Sequence, residues 1–396
     1  MIGERIKALR KQKKMTQTQL AEGIVTKSML SMIENGKAEA SMRSLRELAS
    51  RLDVSMQQLL TDPKEVELQS LVEKLEFEEM QLISLPDQKI REMLKPYLQE
   101  EMNSVWQGKA YMLYGDTYFQ EGENERVLAY YDRAIEIFEK LGESEELAMG
   151  RISQAYYLLM WNRYEESIER IEAIELLDAK YMKTKTRTEY AMLIVFKNLL
   201  CDEDLEGAIR QLEDVLEYMT RTRIYYRADD VYRTISICAL YLNDEKKIHE
   251  SLQKAKQYIQ FTEDRLAEIK VALSEALYAM EYRHVKLLGK NIKLMESLTT
   301  DVEPFIAAIS MAKGVYYAFR GETEMGRECL LALWENRDEW KTHSLVDIAI
   351  YYEGLLRGTL NGCGDDWVPV IEEQVAEFPQ GLFRKRLETL LQQIKG

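Results

Sequence analysis

Residues 15–36 of this 396-residue chain read MTQTQLAEGIVTKSMLSMIENG, and they decide how its N-terminal part folds. Thr16, followed three residues later by Gln19, forms a capping box that starts a helix. Thr26 is a second N-cap residue, and it opens a second helix. Asn35-Gly36 then provides the left-handed exit that ends this helix. The stretch therefore predicts two short helices joined by a tight connection.

Further helices on both sides complete a module of 62 residues. Ser41 caps a fourth helix, and Ser55 with Gln58 forms a capping box for a fifth. Asp62-Pro63 closes the module, because the residue before a proline disfavours helix. The apolar residues expected to form its core are Ile2, Ile6, Leu9, Leu30, Ile33, Leu45, Leu48, Leu52, Met56 and Leu59.

The charge of the chain is distributed unevenly. Residues 1–62 contain 11 Lys+Arg and 7 Asp+Glu, which makes this part +4, whereas the whole chain has a net charge of −15. The remainder is therefore −19. A basic module on an acidic body is typical of a protein that meets phosphate groups through one end only.

The chain lacks the patterns of secreted, metal-binding and membrane proteins. Its four cysteines form no C-x-x-C pair and its three histidines are isolated in sequence, so we expect reduced thiols and no metal site. The N-terminus is charged from Glu4 onward, unlike a signal peptide, and no apolar run is long enough to span a bilayer. We therefore expect a cytoplasmic protein.

Five short capped helices in this order resemble the repressor-type helix-turn-helix family. The resemblance rests on Thr-Gln-x-x-Leu-Ala at 16–21 and Ile-Glu-Asn-Gly at 33–36, and it covers nearly the whole module. It implies that the helix at 27–35 enters the major groove of DNA. It also implies an ion pair between Arg10 and Glu34, to which we assign a structural role.

The same resemblance indicates which residues contact DNA. Gln17 matches the glutamine that contacts phosphate in this family, and the early outward residues of the recognition helix would face base edges and phosphates. Met32 would offer an apolar contact to a thymine methyl group. The expected DNA-binding residues are Gln17, Thr26, Lys27, Ser28, Ser31 and Met32.

From Gln107 onward the chain repeats one pattern with a period near forty residues. Each copy has an aromatic-rich helix, a polar break, and a second amphipathic helix with a small residue five positions after the break. The breaks fall at Gly122, Asn162, Glu203, Asn243, Tyr282, Gly321 and Gly362. Seven copies at so regular a spacing indicate an array of helical repeats.

The Gly-x-x-Tyr spacing of this pattern resembles tetratricopeptide repeats with lengthened helices. The resemblance predicts an all-α chain with a helix-turn-helix domain (1–62), a linker helix (63–82) and a right-handed superhelical α-solenoid (83–396) for peptide sensing and dimerisation. A further helical pair around residues 84–87 would begin the array. The helix from Phe383 to Ile394 would cap it.

The inner wall of such a solenoid is built mainly from the first helix of each repeat, and polar residues there are candidates for gripping an extended peptide. An asparagine can pair with both backbone groups of a peptide unit, and an arginine can take a carboxylate with two parallel bonds. Each candidate also has an ordinary explanation, since tyrosines usually fill the core between repeats and charged residues are usually solvated. The expected peptide-binding residues are Asp116, Tyr156, Tyr190, Lys197, Asn198, Arg227, Asp230, Arg233, Ser274, Tyr278, Lys313 and Tyr317.

The combination of the two parts resembles the peptide pheromone receptors of Gram-positive bacteria, the group containing Rap, Rgg, NprR, PlcR and PrgX. The length of the array is most similar to NprR-like members. The resemblance implies a quorum-sensing transcriptional regulator that binds operator DNA as a homodimer or higher homo-oligomer. A short signalling peptide in the solenoid groove would switch it.

Three alternatives remain open at this point. A Rap-like regulator would sequester or dephosphorylate a response regulator, using a side-chain amide in the region of Gln81 and Gln88. A phage lysis-lysogeny receptor for a peptide would share the same architecture. An enzyme is the least expected, because the chain has no nucleophile–base pairing, Gly-rich phosphate loop or metal-ligand spacing; we expect no cofactor.

Overall fold

The computed structural model describes residues 2–60, 63–80, 85–119, 121–175, 182–202, 204–298, 303–342 and 344–396. All regular elements in these ranges are helices, so the predicted all-α class is confirmed. The chain divides into two compact units, residues 1–146 and 147–396. No helix among the described residues combines the length and the apolar character that crossing a membrane requires.

The first five helices form the predicted N-terminal module. They are α1 (Ile2–Gln12), α2 (Gln17–Ala21), α3 (Lys27–Glu34), α4 (Met42–Arg51) and α5 (Met56–Leu60). The caps at Thr16, Thr26 and Ser41 are confirmed, because each side chain accepts the backbone N–H three residues later. Gly36 has the left-handed φ of +69° that ends α3 as predicted. The capping box expected at Ser55 involves a side chain outside the described residues.

The core of this module follows the apolar pattern of the sequence. Buried leucines and isoleucines from all five helices meet in one cluster, and removing each side chain from water contributes about 1.5–3 kcal/mol. Ile2 is the exception among the expected core residues: it lies in the first turn of α1 and is 41% exposed.

Four more helices complete the first unit: α6 (Pro63–Met80), α7 (Asp87–Leu98), α8 (Val105–Asp116) and α9 (Asn124–Leu141). Leu68, Val72 and Leu75 of α6 are buried in one cluster with Leu94 of α7 and Ala110 of α8. The segment expected to act as a linker helix is therefore packed over much of its length.

The second unit is built from consecutive helical hairpins and begins within α10. Its paired helices are α10 (Ser144–Met160) with α11 (Tyr164–Glu175), α12 (Thr184–Lys197) with α13 (Leu205–Thr222), α14 (Ala228–Tyr241) with α15 (Glu245–Thr262), α16 (Arg265–Glu281) with α17 (Val285–Leu298), α18 (Glu303–Phe319) with α19 (Thr323–Glu335), and α20 (Leu345–Leu360) with α21 (Val368–Val375). The last helix is α22 (Leu382–Lys395). With α8 and α9 of the first unit, these pairs are the seven predicted repeats.

Each predicted break that the structure describes lies between the two helices of a hairpin. Residues with left-handed φ stand there at Gly122, Asn162, Asn243, Arg283, Gly321 and Gly362. Arg283 follows the predicted break at Tyr282 by one residue, because the helix runs through Glu281 before it turns. Glu203 lies outside the described residues.

The position five residues after each turn is buried, although it is not always small. Ser167, for example, donates a hydrogen bond from Oγ to the Ala155 carbonyl of the paired helix at 2.7 Å. The prediction of a small residue is wrong at Ile248 and Trp367, which are at most 1% exposed, and at Leu287, five residues after the predicted break at Tyr282. Counted from the actual turn at Arg283, the position is the buried Leu288. The position therefore requires a side chain that is buried against the first helix, and residues of different size meet this requirement.

The C-terminal helix contacts more of the second unit than its own repeat. Besides α20 and α21, α22 packs against a π-helical turn at Asn198–Asp202, which follows α12. Gly381 lies at this contact, where an added Cβ would come within 2.0 Å of the Leu200 carbonyl oxygen. The side chain of Arg386 reaches Glu353 of α20 and Glu281 of α16 at 2.9 and 2.8 Å. The predicted capping helix therefore ties the last repeat to earlier ones.

Candidate functional sites

Helix α3, which the sequence predicts to enter the major groove, is fixed by a buried ion pair between α1 and the end of α3. Arg10 donates from Nε and Nη2 to the two oxygens of Glu34 at 2.6 and 2.9 Å, which confirms the predicted pair. Arg10 Nη1 also donates to the Met15 carbonyl at 2.8 Å. Burial raises the pKa of the Glu34 carboxyl, but hydrogen bonds from Arg10 and Gln17 together outweigh it and leave the pKa below its usual value.

Most of the expected DNA-binding residues lie on the outer face of α3. Lys27 and Ser28 are exposed in its first turn, Ser31 is half-buried, and Met32 is 40% exposed. Thr26 is exposed as well, and its Oγ1 accepts the Met29 N–H at 3.1 Å. The first turn of the helix thus offers an ammonium group and hydroxyl groups to a phosphate or base edge.

Gln17 lies beside the ion pair rather than free at the surface. Its side chain is half-buried, and Nε2 donates to Glu34 Oε2 at 2.8 Å. This hydrogen bond fixes the amide at the start of α2, so that the ion pair also orients the residue expected to contact phosphate.

A second candidate site is a cluster of charges on the first helices of the hairpins in the second unit. Asp230 of α14 has a side chain only 7% exposed. It accepts from Arg227 Nη2 at 2.8 Å and from Arg233 Nε at 3.0 Å, and Lys270 Nζ of α16 lies 3.6 Å away. Burial alone would raise the pKa of this carboxyl, but the three cations outweigh burial and hold the pKa well below its usual range.

Arg227 connects this cluster to α12. Its Nη1 donates to both oxygens of Glu189 at 2.9 and 3.1 Å, and the Tyr226 hydroxyl donates to Glu189 Oε1 at 3.0 Å. On α10, burial raises the pKa of Tyr156 to about 12, and the negative charges of Asp347 and Glu189 add to this effect. The inner cluster, which we define as Tyr156, Glu189, Tyr226, Arg227, Asp230, Arg233, Lys270 and Asp347, therefore draws on five helices or their ends.

The backbone of Arg227 is itself unusual. Its φ of +51° is left-handed, a conformation that costs a non-glycine residue on the order of 1–3 kcal/mol. The guanidinium is held on two sides, by Glu189 and by Asp230. Such strain persists where surrounding contacts fix the residue, and it often marks a functional site.

The structure brings together four of the residues expected to bind a peptide: Tyr156, Arg227, Asp230 and Arg233. Tyr190 directly follows Glu189 on α12 and is half-buried.

Three other expected residues of the second unit are buried. Asn198 is buried and donates to the Asp204 carbonyl at 2.8 Å. Ser274, also buried, donates to the Lys270 carbonyl at 3.1 Å. The buried ring of Tyr278 lies 5.1 Å from that of His249.

Four further expected residues lie outside the inner cluster. Lys313 Nζ donates to Glu296 at 2.9 Å, and Tyr317 lies beside it on α18. Asp116 belongs to the first compact unit, where it accepts from the Tyr131 hydroxyl at 2.7 Å. Lys197 is the half-buried last residue of α12.

Several members of the inner cluster were missed in sequence: Glu189, Tyr226, Lys270 and Asp347. Two of them pair with residues almost one repeat away, since Glu189 meets Arg227 38 positions later and Asp230 meets Lys270 40 positions later. Opposite charges separated by one period are the signal that would have found them, because equivalent positions on successive first helices lie side by side.

Residues 6–59 match the family model described as Helix-turn-helix. The N-terminal module is a helix-turn-helix domain. This match covers the module only, and a search of curated proteins with the whole chain gives no match.

Three solved structures illustrate what this chain is similar to. One is Bacillus thuringiensis PlcR in complex with the peptide PapR7 and DNA, with 19% identity, 66% of this chain and 95% of that chain covered, and a TM-score of 0.43. A second is ComR from S. thermophilus in complex with DNA and its signalling peptide ComS, with 17% identity, coverage of 68% and 97%, and a TM-score of 0.28. The third is the Streptococcus dysgalactiae SHP pheromone receptor Rgg2, with 14% identity, coverage of 89% and 97%, and a TM-score of 0.22.

The closer resemblance to NprR-like members stays a prediction.

Proposed function

We propose that the chain is a cytoplasmic transcriptional regulator whose helix-turn-helix domain binds operator DNA and whose inner cluster binds a short signalling peptide. The observation that supports this most is the presence, in one chain, of an exposed recognition helix and a part-buried cluster of opposite charges on the first helices of a repeat array.

The DNA-binding step would use the first turn of α3. Lys27 supplies a charge for a phosphate or for guanine, while Ser28 and Ser31 supply hydroxyl groups and Met32 an apolar contact. One such domain reads only a few base pairs, so we propose a homodimer on two half-sites separated by whole turns of DNA. The −19 charge of residues 63–396 would keep the rest of the chain away from the phosphates.

The peptide-binding step would act on Arg227. Arg227 is the cation of the inner cluster that pairs with carboxylates on two different helices, Glu189 of α12 and Asp230 of α14. A peptide carboxylate, from its C-terminus or from an acidic side chain, would take the place of Glu189 and accept charge-assisted hydrogen bonds from Arg227 Nη1.

This exchange would release the link between α12 and α14 and thereby change how neighbouring hairpins are held. A peptide that prefers the arrangement competent for DNA binding must itself bind more tightly when DNA is present.

The test is DNA pull-down sequencing with the full-length protein, with and without short synthetic peptides encoded beside its gene. We expect a two-fold symmetric site whose occupancy changes with one peptide. Arg227→Gln should still recover the site but should no longer respond to the peptide. The matched control is Arg221→Gln, since Arg221 is 67% exposed at the end of α13 and should respond as the wild type does.

DNA binding that is indifferent to every peptide would refute the peptide switch, and the absence of DNA binding in every condition would refute the whole proposal. The response-regulator and phage-receptor alternatives stay predictions: Gln88 donates to Glu92 of its own helix at 2.9 Å, and Gln81 lies outside the described residues.

A further inference from the structure

A groove between α17 and α18 has no part in the function proposed above. It encloses about 460 Å³. Lys286, Lys290 and Lys293 line its α17 side, and Tyr316 and Tyr317 line its α18 side. The groove lies in the second compact unit, and its lining shares no residue with the inner cluster.

The lining of this groove has a net charge of +3, although the chain beyond the helix-turn-helix domain is strongly acidic. Glu296 is the one acidic residue among the described lining residues, and Lys313 pairs with it at 2.9 Å. The hydrogen bond to Glu296 raises the pKa of Lys313, so this lysine is charged and already partnered. Lys286, Lys290 and Lys293 form no hydrogen bond or ion pair with any residue that the structure describes.

These three lysines are arranged to act together. Their spacing of four and then three residues places them on one face of α17. Like charges at this spacing repel each other, so the arrangement gains from an anion that lies between them. Each ammonium group carries three donors on a flexible stem and can turn toward a common ligand.

Helices α17 and α18 approach each other closely beside the groove. Gly289 allows this approach: an added Cβ would lie 2.8 Å from Cε2 of the Tyr316 ring. Any larger side chain at this position would therefore push on the ring and fill the space between the lysines.

We propose that this groove binds a small oligophosphate, either free or as the phosphate chain of a nucleotide. Lysine binds phosphate as a point charge, and one phosphate monoester carries about −1.5 to −2 at neutral pH. Two or three linked phosphates therefore match three unpaired ammonium groups. The volume is that of a small-molecule site, for which about 300–1,000 Å³ is typical, and it is too small for the face of a folded protein.

Isothermal titration of the full-length protein with sodium tripolyphosphate, pyrophosphate, ATP and citrate tests the proposal. We expect tripolyphosphate and pyrophosphate to bind one per chain, with an affinity that falls as salt is added. Lys286→Gln/Lys290→Gln/Lys293→Gln should weaken binding about tenfold, from the loss of three exposed charge contacts. ATP binding tighter than tripolyphosphate would identify a nucleotide, and equal binding would identify the phosphate chain alone as the ligand.

The control is Lys246→Gln/Lys247→Gln/Lys254→Gln, which removes the same charge from α15 outside the groove and should bind as the wild type does. Glutamine has nearly the helix propensity of lysine, and circular dichroism checks that both variants fold. If a triple variant unfolds, Lys290→Gln alone takes its place, with Lys254→Gln as its control. The proposal is overturned if no phosphate binds, if both variants weaken equally, or if citrate binds as tightly as tripolyphosphate.

Discussion

The substitution Glu34→Gln tests the ion pair that holds the helix-turn-helix domain together. The side chain of Glu34 is fully buried, and that of Arg10 is only 11% exposed. Glutamine keeps the shape but removes the charge opposite Arg10. Removing one partner of a buried pair typically costs about 3–5 kcal/mol, because the other charge is left uncompensated.

We expect the lower end of this range, about 3 kcal/mol, because Arg10 keeps its hydrogen bond to the Met15 carbonyl. A domain of this size is stable by on the order of 3–9 kcal/mol, so the loss is a large fraction of the total.

The same substitution should change how stability depends on pH. The folded-state pKa of Glu34 lies below its usual value, so the ionised carboxylate stabilises the fold. This contribution is complete above the unfolded pKa of about 4.3 and is lost as the pH falls through the lower folded pKa. As the pH falls from about 5, Glu34→Gln should therefore lose less stability than the wild type loses.

Amide hydrogen exchange of the full-length protein measures both effects, because it reports the opening free energy of residues 2–60 separately from that of the repeats. Arg43→Gln is the control: Arg43 is 89% exposed beside Glu47, and its loss should cost at most about 0.5 kcal/mol. The double variant Arg10→Leu/Glu34→Leu should recover much of the stability, since apolar pairs often replace buried ion pairs without loss. Equal opening free energies in Glu34→Gln and Arg43→Gln would refute the reasoning.

Three further predictions concern other parts of the chain. Lys27→Ala should weaken DNA binding almost equally for all sequences and should reduce the slope of log affinity against log salt concentration by about 1. Fluorescence anisotropy measures both effects, and an unchanged slope would exclude a phosphate contact. Asp230→Asn should lower the free energy of unfolding by about 3 kcal/mol in urea, because Arg227 and its neighbouring cations lose their shared carboxylate; a midpoint like that of the wild type would contradict this. Gly381→Ala should speed hydrogen exchange in residues 382–395, because the added methyl group overlaps the Leu200 carbonyl; unchanged protection would show that the contact can shift.

Helix ends could be predicted because single residues determine them. Thr16 and Thr26 each satisfy an amide at the start of a helix, and Gly122 and Gly321 adopt the left-handed backbone between two helices. These are local requirements, so they can be read without knowing which helices pack together. The Arg10–Glu34 pair is not local, because 24 residues separate the partners. It could be predicted only from the family resemblance.

The inner cluster could be predicted only in part, because the first helices of the repeats are packed on more than one side. In α16 the buried residues include the consecutive run from Ala276 to Met280, which leaves no apolar stripe to separate an inner face from the others. The sequence pattern therefore places Ser274 and Tyr278 on the inner wall, although the structure buries both. Which polar residue meets a charge depends on the neighbouring repeat, and a helix read alone does not contain this information.

The contacts of α22 have a consequence for the order in which the protein is made. In a simple repeat array each hairpin needs only its neighbours and can fold as soon as it leaves the ribosome. Here the turn at Asn198–Asp202 and Glu281 obtain partners from the last fifteen residues of the chain, and Arg386 lies 105 positions after Glu281. The hairpins from α12 onward therefore emerge with their final contacts missing and acquire them only after α22 has been made. During that interval the buried partners of Phe383 and Leu387 are open to water, which makes the nascent chain the state most exposed to aggregation and chaperone binding.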